Sequence, residues 1–243
     1  MGRLIKFLFC LIGMIMIIPS KAVAQAPNAQ VYNKFDELVN PSNTGVFNGI
    51  GYEEVHRTIN ENHKFFLTTA FVEGTLYYNG QPYFSQLLKY NVFDDLLLIQ
   101  AKDRGNLSLF QLIKEKVDGF EINGHYFTNI KSSESEELNG FYEVLAQNGE
   151  MQLLKKHARN INQLIKDRVV YYEFKPKEMG YLLKHSDKLY EFNSKREIVK
   201  LFPDAEKSIG NYFSSERKTL KINRDQFMVN LFRNINLENS SKE

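Results

Sequence analysis

Apolar and polar side chains alternate with a period of two through the middle of the chain, and Asn-Gly pairs interrupt the alternation at short intervals. Five such pairs occur: Asn48-Gly49, Asn79-Gly80, Asn123-Gly124, Asn139-Gly140 and Asn148-Gly149. Both residues tolerate positive φ, which a type I′ turn requires at its two central positions. Three of the pairs have strand-like sequence on both sides. Gly74–Tyr78 leads into Gln81–Phe84, Gly119–Ile122 into His125–Thr128, and Phe141–Gln147 into Glu150–Leu154. These segments predict successive antiparallel hairpins. A fourth, shorter one is predicted from Val46-Phe47 and Ile50–Tyr52.

Further strands are expected over Phe65–Val72, Leu96–Ala101, Asn106–Ile113, Val169–Lys175 and Tyr181–His185, with a turn at Lys102–Gly105. Phe84, Leu88 and Tyr90 share one strand face, with Ser85 and Lys89 on the other; Gln86 and Leu87 break the pattern. One-sided alternation marks a sheet with one face in the core and one near water. Ser132–Glu137 reads as a polar, acidic loop.

The pattern changes at Ser194. Ser194 with Glu197 forms a capping box, in which the serine accepts from a helix-start N–H and the glutamate reaches back. Ile198, Val199, Leu201 and Phe202 follow, and Pro203 stops that helix or starts the next. Ala205, Ile209, Tyr212 and Phe213 then fall at helical spacing, as do Phe227, Leu231, Phe232 and Ile235 after a weaker Asn223/Gln226 cap. Three short helices are predicted to end the chain. Gln25–Gln30 reads as irregular, and Val31–Val39 as a short helix or an unpaired arm. The fold class is mainly β (α+β): an antiparallel β-meander forming a curved sheet or open barrel, followed by short C-terminal helices.

The first 24 residues stand apart. Arg3 and Lys6 precede an apolar run, Phe7–Ile18, that is shorter than the ~20 residues a membrane span needs. Pro19 and Ser20 break it, and Ala22-Val23-Ala24 is an A-x-A cleavage site. Residues 1–24 therefore read as a signal peptide, 25–193 as a β-rich domain and 194–243 as a helical segment packed on it. Cys10 follows Phe9 inside the apolar run rather than a small residue after it, which argues against lipidation. The leader holds Arg3, Lys6 and Lys21 and no acid, so the chain's 31 basic and 29 acidic residues become 28 and 29, a formal net charge of −1. No global basic field remains to attract nucleic acid. The processed chain has no cysteine, hence no disulfide, thiol nucleophile or Cys-bound zinc, and expects no transmembrane span.

Candidate chemistry is sparse. His56, His63, His125, His157 and His185 show no i, i+4 pair and no H-E-x-x-H, so no metal site is expected. No G-x-S-x-G, paired S-x-x-K or P-loop occurs, and Ser108, Ser132 and Ser133 have no base nearby in sequence. Asp94-Asp95 and Glu134, Glu136 and Glu137 lack the calcium-loop spacing and read as solvated loop. Arg217, Lys218, Lys221 and Arg224 form a basic stretch that fits a solvated linker better than a contact with anionic headgroups or lipopolysaccharide phosphates. No cofactor is implied. Tyr77-Tyr78, Tyr83-Phe84 and Tyr171-Tyr172 are adjacent aromatics, and neighbours in a strand point to opposite faces. One ring of each pair must leave the core face. Tyr77, Tyr78, Tyr83, Tyr171 and Tyr172 are therefore the candidate ligand- or partner-binding residues.

Asn43–Tyr52, Glu73–Tyr83, Leu88–Leu98 and Gly140–Leu145 together resemble an uncharacterised family of secreted proteins from Bacteroidota-type Gram-negative bacteria. The resemblance covers most of the processed chain. The family often has Tyr-Asp where this chain has Tyr90-Asn91, so a role for that acid does not carry over. The resemblance implies an exported, β-rich protein and no established activity. The expected function is a non-enzymatic envelope protein, in the periplasm or at the cell surface, binding a protein partner or a lipid-like, apolar ligand through its sheet. The alternatives are an envelope hydrolase with a loop-borne site and a structural envelope subunit. An apolar cavity inside the sheet would favour the first, a cleft joining His, carboxylate and Ser the second, and a closed core with an exposed aromatic edge the third.

Overall fold

The Tyr78–Gln81 and Ile122–His125 hairpins close on the predicted Asn-Gly turns. Asn79 and Gly80 have φ of 51° and 74°, and Asn123 and Gly124 have 52° and 75°, the left-handed pair that a type I′ turn needs. The computed structural model describes residue 46 and residues 49–59, 61–103, 106–133, 135–186 and 188–240. The leader, residues 25–45, Phe47 and Asn48 of the fourth predicted hairpin, the Arg104-Gly105 part of the predicted turn and Glu134 lie outside them.

The strands are β1 (Ile50–Gly51), β2 (Val72–Tyr78), β3 (Gln81–Asn91), β4 (Leu96–Asp103), β5 (Asn106–Gln111), β6 (Val117–Ile122), β7 (His125–Ile130), β8 (Gly140–Asn148), β9 (Met151–Lys155), β10 (Ala158–Lys166), β11 (Val169–Lys177), β12 (Tyr181–His185) and β13 (Lys188–Phe192). The helices are α1 (Lys195–Leu201), α2 (Glu206–Ser215), α3 (Arg217–Ile222) and α4 (Arg224–Ser240). One antiparallel sheet of 11 strands runs β1-β5-β4-β3-β2-β6-β7-β8-β9-β12-β13. It consists of two meanders joined where β2 pairs with β6. β10 and β11 leave it as a separate two-stranded hairpin between β9 and β12.

The sheet is strongly curved but not closed. Tyr90 on β3 and Phe141 on β8 are four strand positions apart, about 19 Å in a flat sheet. Their ring centroids lie 5.7 Å apart. Tyr90 also meets Phe120 and Phe127 at 5.3 and 5.2 Å, and Phe120 stacks on Phe127 at 4.7 Å. These rings, with Leu76, Tyr78, Leu88, Leu97 and Ile99, fill the concave side as one core. A second core forms where the helices cover β9, β12 and β13, through Leu153, Leu183, Phe192, Ile209, Phe227 and Leu231.

Several local expectations need correction. Phe65–Val72 is not a strand. Phe65 makes only an isolated bridge to Asn91, Leu67 has φ of 53°, and Val72 opens β2. Phe65 and Phe66 are buried at the end of the rolled sheet, with Phe66 N–H donating to the Tyr90 carbonyl. The break at Gln86 and Leu87 is a bulge: Phe84 and Ser85 together oppose Thr75, and Ser85 has φ of 54°. At the third hairpin the turn residues are Gly149-Glu150, not Asn148-Gly149. Asn148 pairs with Met151, and only Gly149 has positive φ, the pattern of a type II′ turn. β1 pairs with β5. The helical segment has four α-helices rather than three, because the stretch holding Arg217, Lys218 and Lys221 is itself α3, held by Leu220 against the second core. The capping box at Ser194 is present, and Asn223 accepts from the Gln226 N–H at 2.9 Å. No described helix is long and apolar enough to cross a membrane.

Candidate functional site

The sequence-predicted tyrosines do not converge. Tyr78 is 1% exposed in the first core, and Tyr83 packs partly against the same core. Tyr77, on the opposite face of β2, meets Tyr126 at 6.0 Å. Tyr171 and Tyr172 are on β11, where Tyr172 meets His56 at 4.8 Å and Arg57 lies 5.8 Å from the Tyr171 ring.

A cleft of about 420 Å³ opens elsewhere, where the β10–β11 hairpin leaves the sheet beside the helices. Lys155–Arg159 form one wall, Pro176–Met179 with Tyr181 a second, Ile222–Asp225 a third, and Phe66 and Val92 add apolar surface. The α3–α4 junction is fastened to the sheet by Asp225. Its carboxylate accepts from Lys155 at 2.5 Å and from the Tyr181 hydroxyl at 2.7 Å. Burial, then the bond to Asp225, pushes the Tyr181 pKa up. Arg224 donates to the Asn193 carbonyl at 2.8 Å and lies 5.3 Å from the Tyr181 ring.

The charges are unevenly matched. Lys155 is paired with Asp225, and Lys156 with Asp95 at 3.1 Å. Arg159, Lys177 and Arg224 take part in no ion pair among the described residues, nor does the one further acid lining the cleft, Glu178, which leaves three unpaired cations to one unpaired acid. Arg159 is half-buried, and its burial lowers its pKa. A partly buried guanidinium without a counter-charge can take an anion.

Behind His157, which lines the cleft, lies a group that sequence motifs did not reveal. The Glu143 carboxylate is held between His125 Nδ1 at 2.5 Å and His157 Nε2 at 2.6 Å. Burial pushes the Glu143 pKa up, but bonds from His157 and His125 outweigh it, and the net shift is downward. Phe66 stands edge-on to both imidazoles, at 5.1 and 4.9 Å. The two rings occupy opposite oxygens, and no group of three His, Cys, Asp or Glu among the described residues could hold a metal ion. The signal lay in strand register. Glu143 pairs with Phe127 and with Lys155; His125 is two residues from Phe127 on β7, hence on the same face, and His157 follows two residues after β9 ends at Lys155.

Lys64 forms a second buried polar cluster, 2% exposed. Its ammonium is 2.9 Å from Glu54, 3.4 Å from Asp94 and 3.3 Å from His56 Nδ1. Burial lowers its pKa, but Tyr52 and Glu54 reverse the direction to a net rise. Asn91 completes this corner, donating to Asp94 at 2.7 Å and accepting from the Phe93 and Asp94 N–H groups. The amide can do both, whereas a carboxylate at 91 would face Asp94 without a proton to give. This cluster anchors the segment before β2 to the β3–β4 turn.

Comparison of the chain with family models, curated proteins and solved structures found no match.

Proposed function

We propose that this is a non-enzymatic, exported binding protein of the bacterial envelope that holds a small anionic amphiphile in the cleft. The cleft's unmatched cations carry the reading. Arg159, Lys177 and Arg224 line it without carboxylate partners and outnumber the one unpaired acid there, Glu178, beside apolar surface from Phe66, Val92, Met179 and Ile222. The volume suits a small ligand. The concave side of the sheet is filled by its own rings, so the ligand reading belongs to the cleft rather than to the sheet. Calorimetric titration of the chain starting at Gln25 with decanoate and decyl phosphate, and decanol as the neutral control, tests it. Both acids should bind at least tenfold more tightly than decanol, and Arg159→Gln should weaken them by about tenfold, the loss of a charge-assisted hydrogen bond. Equal binding of decanol, or unchanged acid binding in both Arg159→Gln and Arg224→Gln, overturns the proposal.

One observation favours a second, enzymatic reading. Glu143 orients the His157 imidazole as an acid orients a general base. No serine lines the cleft among the described residues, so water would have to be the nucleophile. Hydrolysis of p-nitrophenyl decanoate that disappears in a folded His157→Gln variant would replace binding by catalysis.

A further inference from the structure

The β10–β11 hairpin leaves the sheet as an arm. Its outermost residues, Lys166, Asp167 and Arg168, are charged, and its apolar side chains lie behind them. Ile165 is 74% exposed, and Ile161, Leu164 and Val170 are each 38% exposed. One edge of the arm is anchored. β11 bonds through Tyr172 and Phe174 to Arg57, Ile59 and Asn62, and the fully buried Phe174 ring lies 4.9 Å from Phe93. The other edge, β10, has no neighbour but β11 among the described residues. Lys166 and Val169 flank a two-residue turn and so exchange their backbone hydrogen bonds. Bonding to β11 therefore falls to the even-numbered residues of β10, and the N–H and C=O groups of Ile161, Gln163 and Ile165 point outward. Edge strands are ordinarily protected by proline, a bulge or inward-pointing charge. β10 pairs without a bulge over all 9 of its residues, holds no proline, and has its cations, Arg159 and Lys166, near its two ends.

We propose that the β10 edge pairs, antiparallel, with the same edge of a second copy of this chain, about a two-fold axis at Gln163. The sequence of the strand argues for both the partner and the register. An axis between two residues would set outward backbone groups against inward ones, so the axis must pass through a residue. With Gln163 opposite itself, Ile161 opposes Ile165 of the second copy, twice by symmetry. β11 extends each row. Phe174 and Ile161 of one copy continue into Ile165 and Val170 of the other, four apolar residues on one face across four strands. Charge is matched as well. Lys166 meets Asn160, and the turn acid Asp167 comes to the Arg159 end of the other strand, so no cation directly opposes a cation. Moving the axis to Asn162 sets Ile161 against Gln163 and Ile165 against Arg159. Moving it to Leu164 sets Ile165 against Gln163 and Ile161 against Asp167. A strand that matches itself under a two-fold rotation is what an isologous dimer requires.

The only cysteine is Cys10, so the chain starting at Gln25 carries no thiol of its own and suits a crosslinking test. Cα atoms of a directly opposed, hydrogen-bonded pair lie ~5.5 Å apart, within disulfide reach. Gln163→Cys should therefore oxidise to a covalent dimer at least about tenfold faster than Ile161→Cys or Ile165→Cys alone. A mixture of the last two should form the mixed dimer at a rate near that of Gln163→Cys. The paired stretch covers less than the ~800 Å² that each partner gives to a standard interface, so the dimer is weak and is read by sedimentation equilibrium at micromolar concentrations. Gln163→Pro removes an outward N–H without touching a bond to β11, and Ile165→Lys puts a cation into the apolar row. Each should weaken the dimer by about tenfold or more, with circular dichroism unchanged. A monomer at every concentration overturns the proposal. So does dimerisation of both variants at the wild-type level, which would place the contact elsewhere. Crosslinking of Leu164→Cys as fast as Gln163→Cys overturns it too, since that marks random collision rather than this register.

Discussion

Asp95 sits in the β3–β4 turn and gathers groups from across the rolled sheet. Its carboxylate accepts from the Tyr90 hydroxyl at 2.7 Å, Lys114 at 2.7 Å, Lys156 at 3.1 Å and the Phe141 N–H at 3.4 Å. The side chain is 15% exposed. Asp95→Ala would leave two ammonium groups and a phenol short of an acceptor, and should cost about 3–5 kcal/mol in urea unfolding, as breaking a buried ion pair does. Gly140 lies against the same site. It has φ of +134°, and a Cβ there would run into the Asp95 carboxylate and the Lys156 ammonium. The network also sets an acid limit. Burial raises the Asp95 pKa, but Lys156, Lys114 and Tyr90 outweigh it, so both Asp95 and Glu143 titrate below their ordinary values of 3.8 and 4.5. A lowered folded-state pKa contributes stability that is complete above the unfolded value and is lost as pH falls through the folded one. Unfolding free energy should therefore decline as pH drops below 4.5, and Asp95→Asn and Glu143→Gln should each flatten part of that slope. Urea midpoints between neutral and strongly acid pH measure it; unchanged slopes in both variants would mean that neither carboxylate sets the limit.

Turns govern the elements, and they also show what could be read without the structure. Asn79-Gly80 and Asn123-Gly124 were legible because both residues must take positive φ, and Gly80→Val or Gly124→Val should cost about 1–2 kcal/mol or more. Asn148-Gly149 misled by one residue, because Gly149 alone satisfies a type II′ turn. Past that turn, a bulge at Leu145 shifts the pairing between Val144 and Ala146, and no residue type announces it. Without the bulge the register does not bring Glu143 beside Lys155, so the His125–Glu143–His157 group stays hidden. The capping box at Ser194 was legible because it is local, whereas the buried Lys64 was not, because its partners Glu54 and Asp94 come from separate segments. The arm was half visible. β11 has aromatic and β-branched residues, but β10 alternates weakly, and their turn is Asp167-Arg168, with φ of 52° and 65° and no glycine. Arg168→Gly should relieve that strain and stabilise the arm by about 0.5–1 kcal/mol. Native-state hydrogen exchange at the β10 and β11 amides should register slower opening; faster exchange would show that Arg168 holds the turn through contacts outweighing its backbone strain.

At the scale of the molecule, the question is whether the ring-filled roll and the helix-covered end are one folding unit. Phe227 on α4 is fully buried in the second core, with Tyr212 at 5.0 Å and Phe213 at 4.8 Å. The first core is centred on Tyr90, Phe120 and Phe127. Three features couple the two. The β7-β8-β9-β12 ladder is continuous. Ile130, Tyr142, Leu154 and Leu182 form a third buried cluster on those same strands. Lys155 and Tyr181, from β9 and β12, both bond to Asp225 at the start of α4. Loosening the helices thus uncovers β9, β12 and β13, and the ladder passes that loss to β8, whose Phe141 belongs to the first core. Phe227→Ala should cost about 3–5 kcal/mol, the range for a deleted core phenylalanine. The loss should appear as one shifted transition rather than as early release of the helices. Far-ultraviolet dichroism, which sees the helices, and hydrogen exchange at β3, which sees the first core, should report the same midpoint. If the helical signal of Phe227→Ala melts first while β3 stays protected at the wild-type level, the two ends fold independently, and the cleft between sheet and helices lies at a hinge rather than within a rigid body.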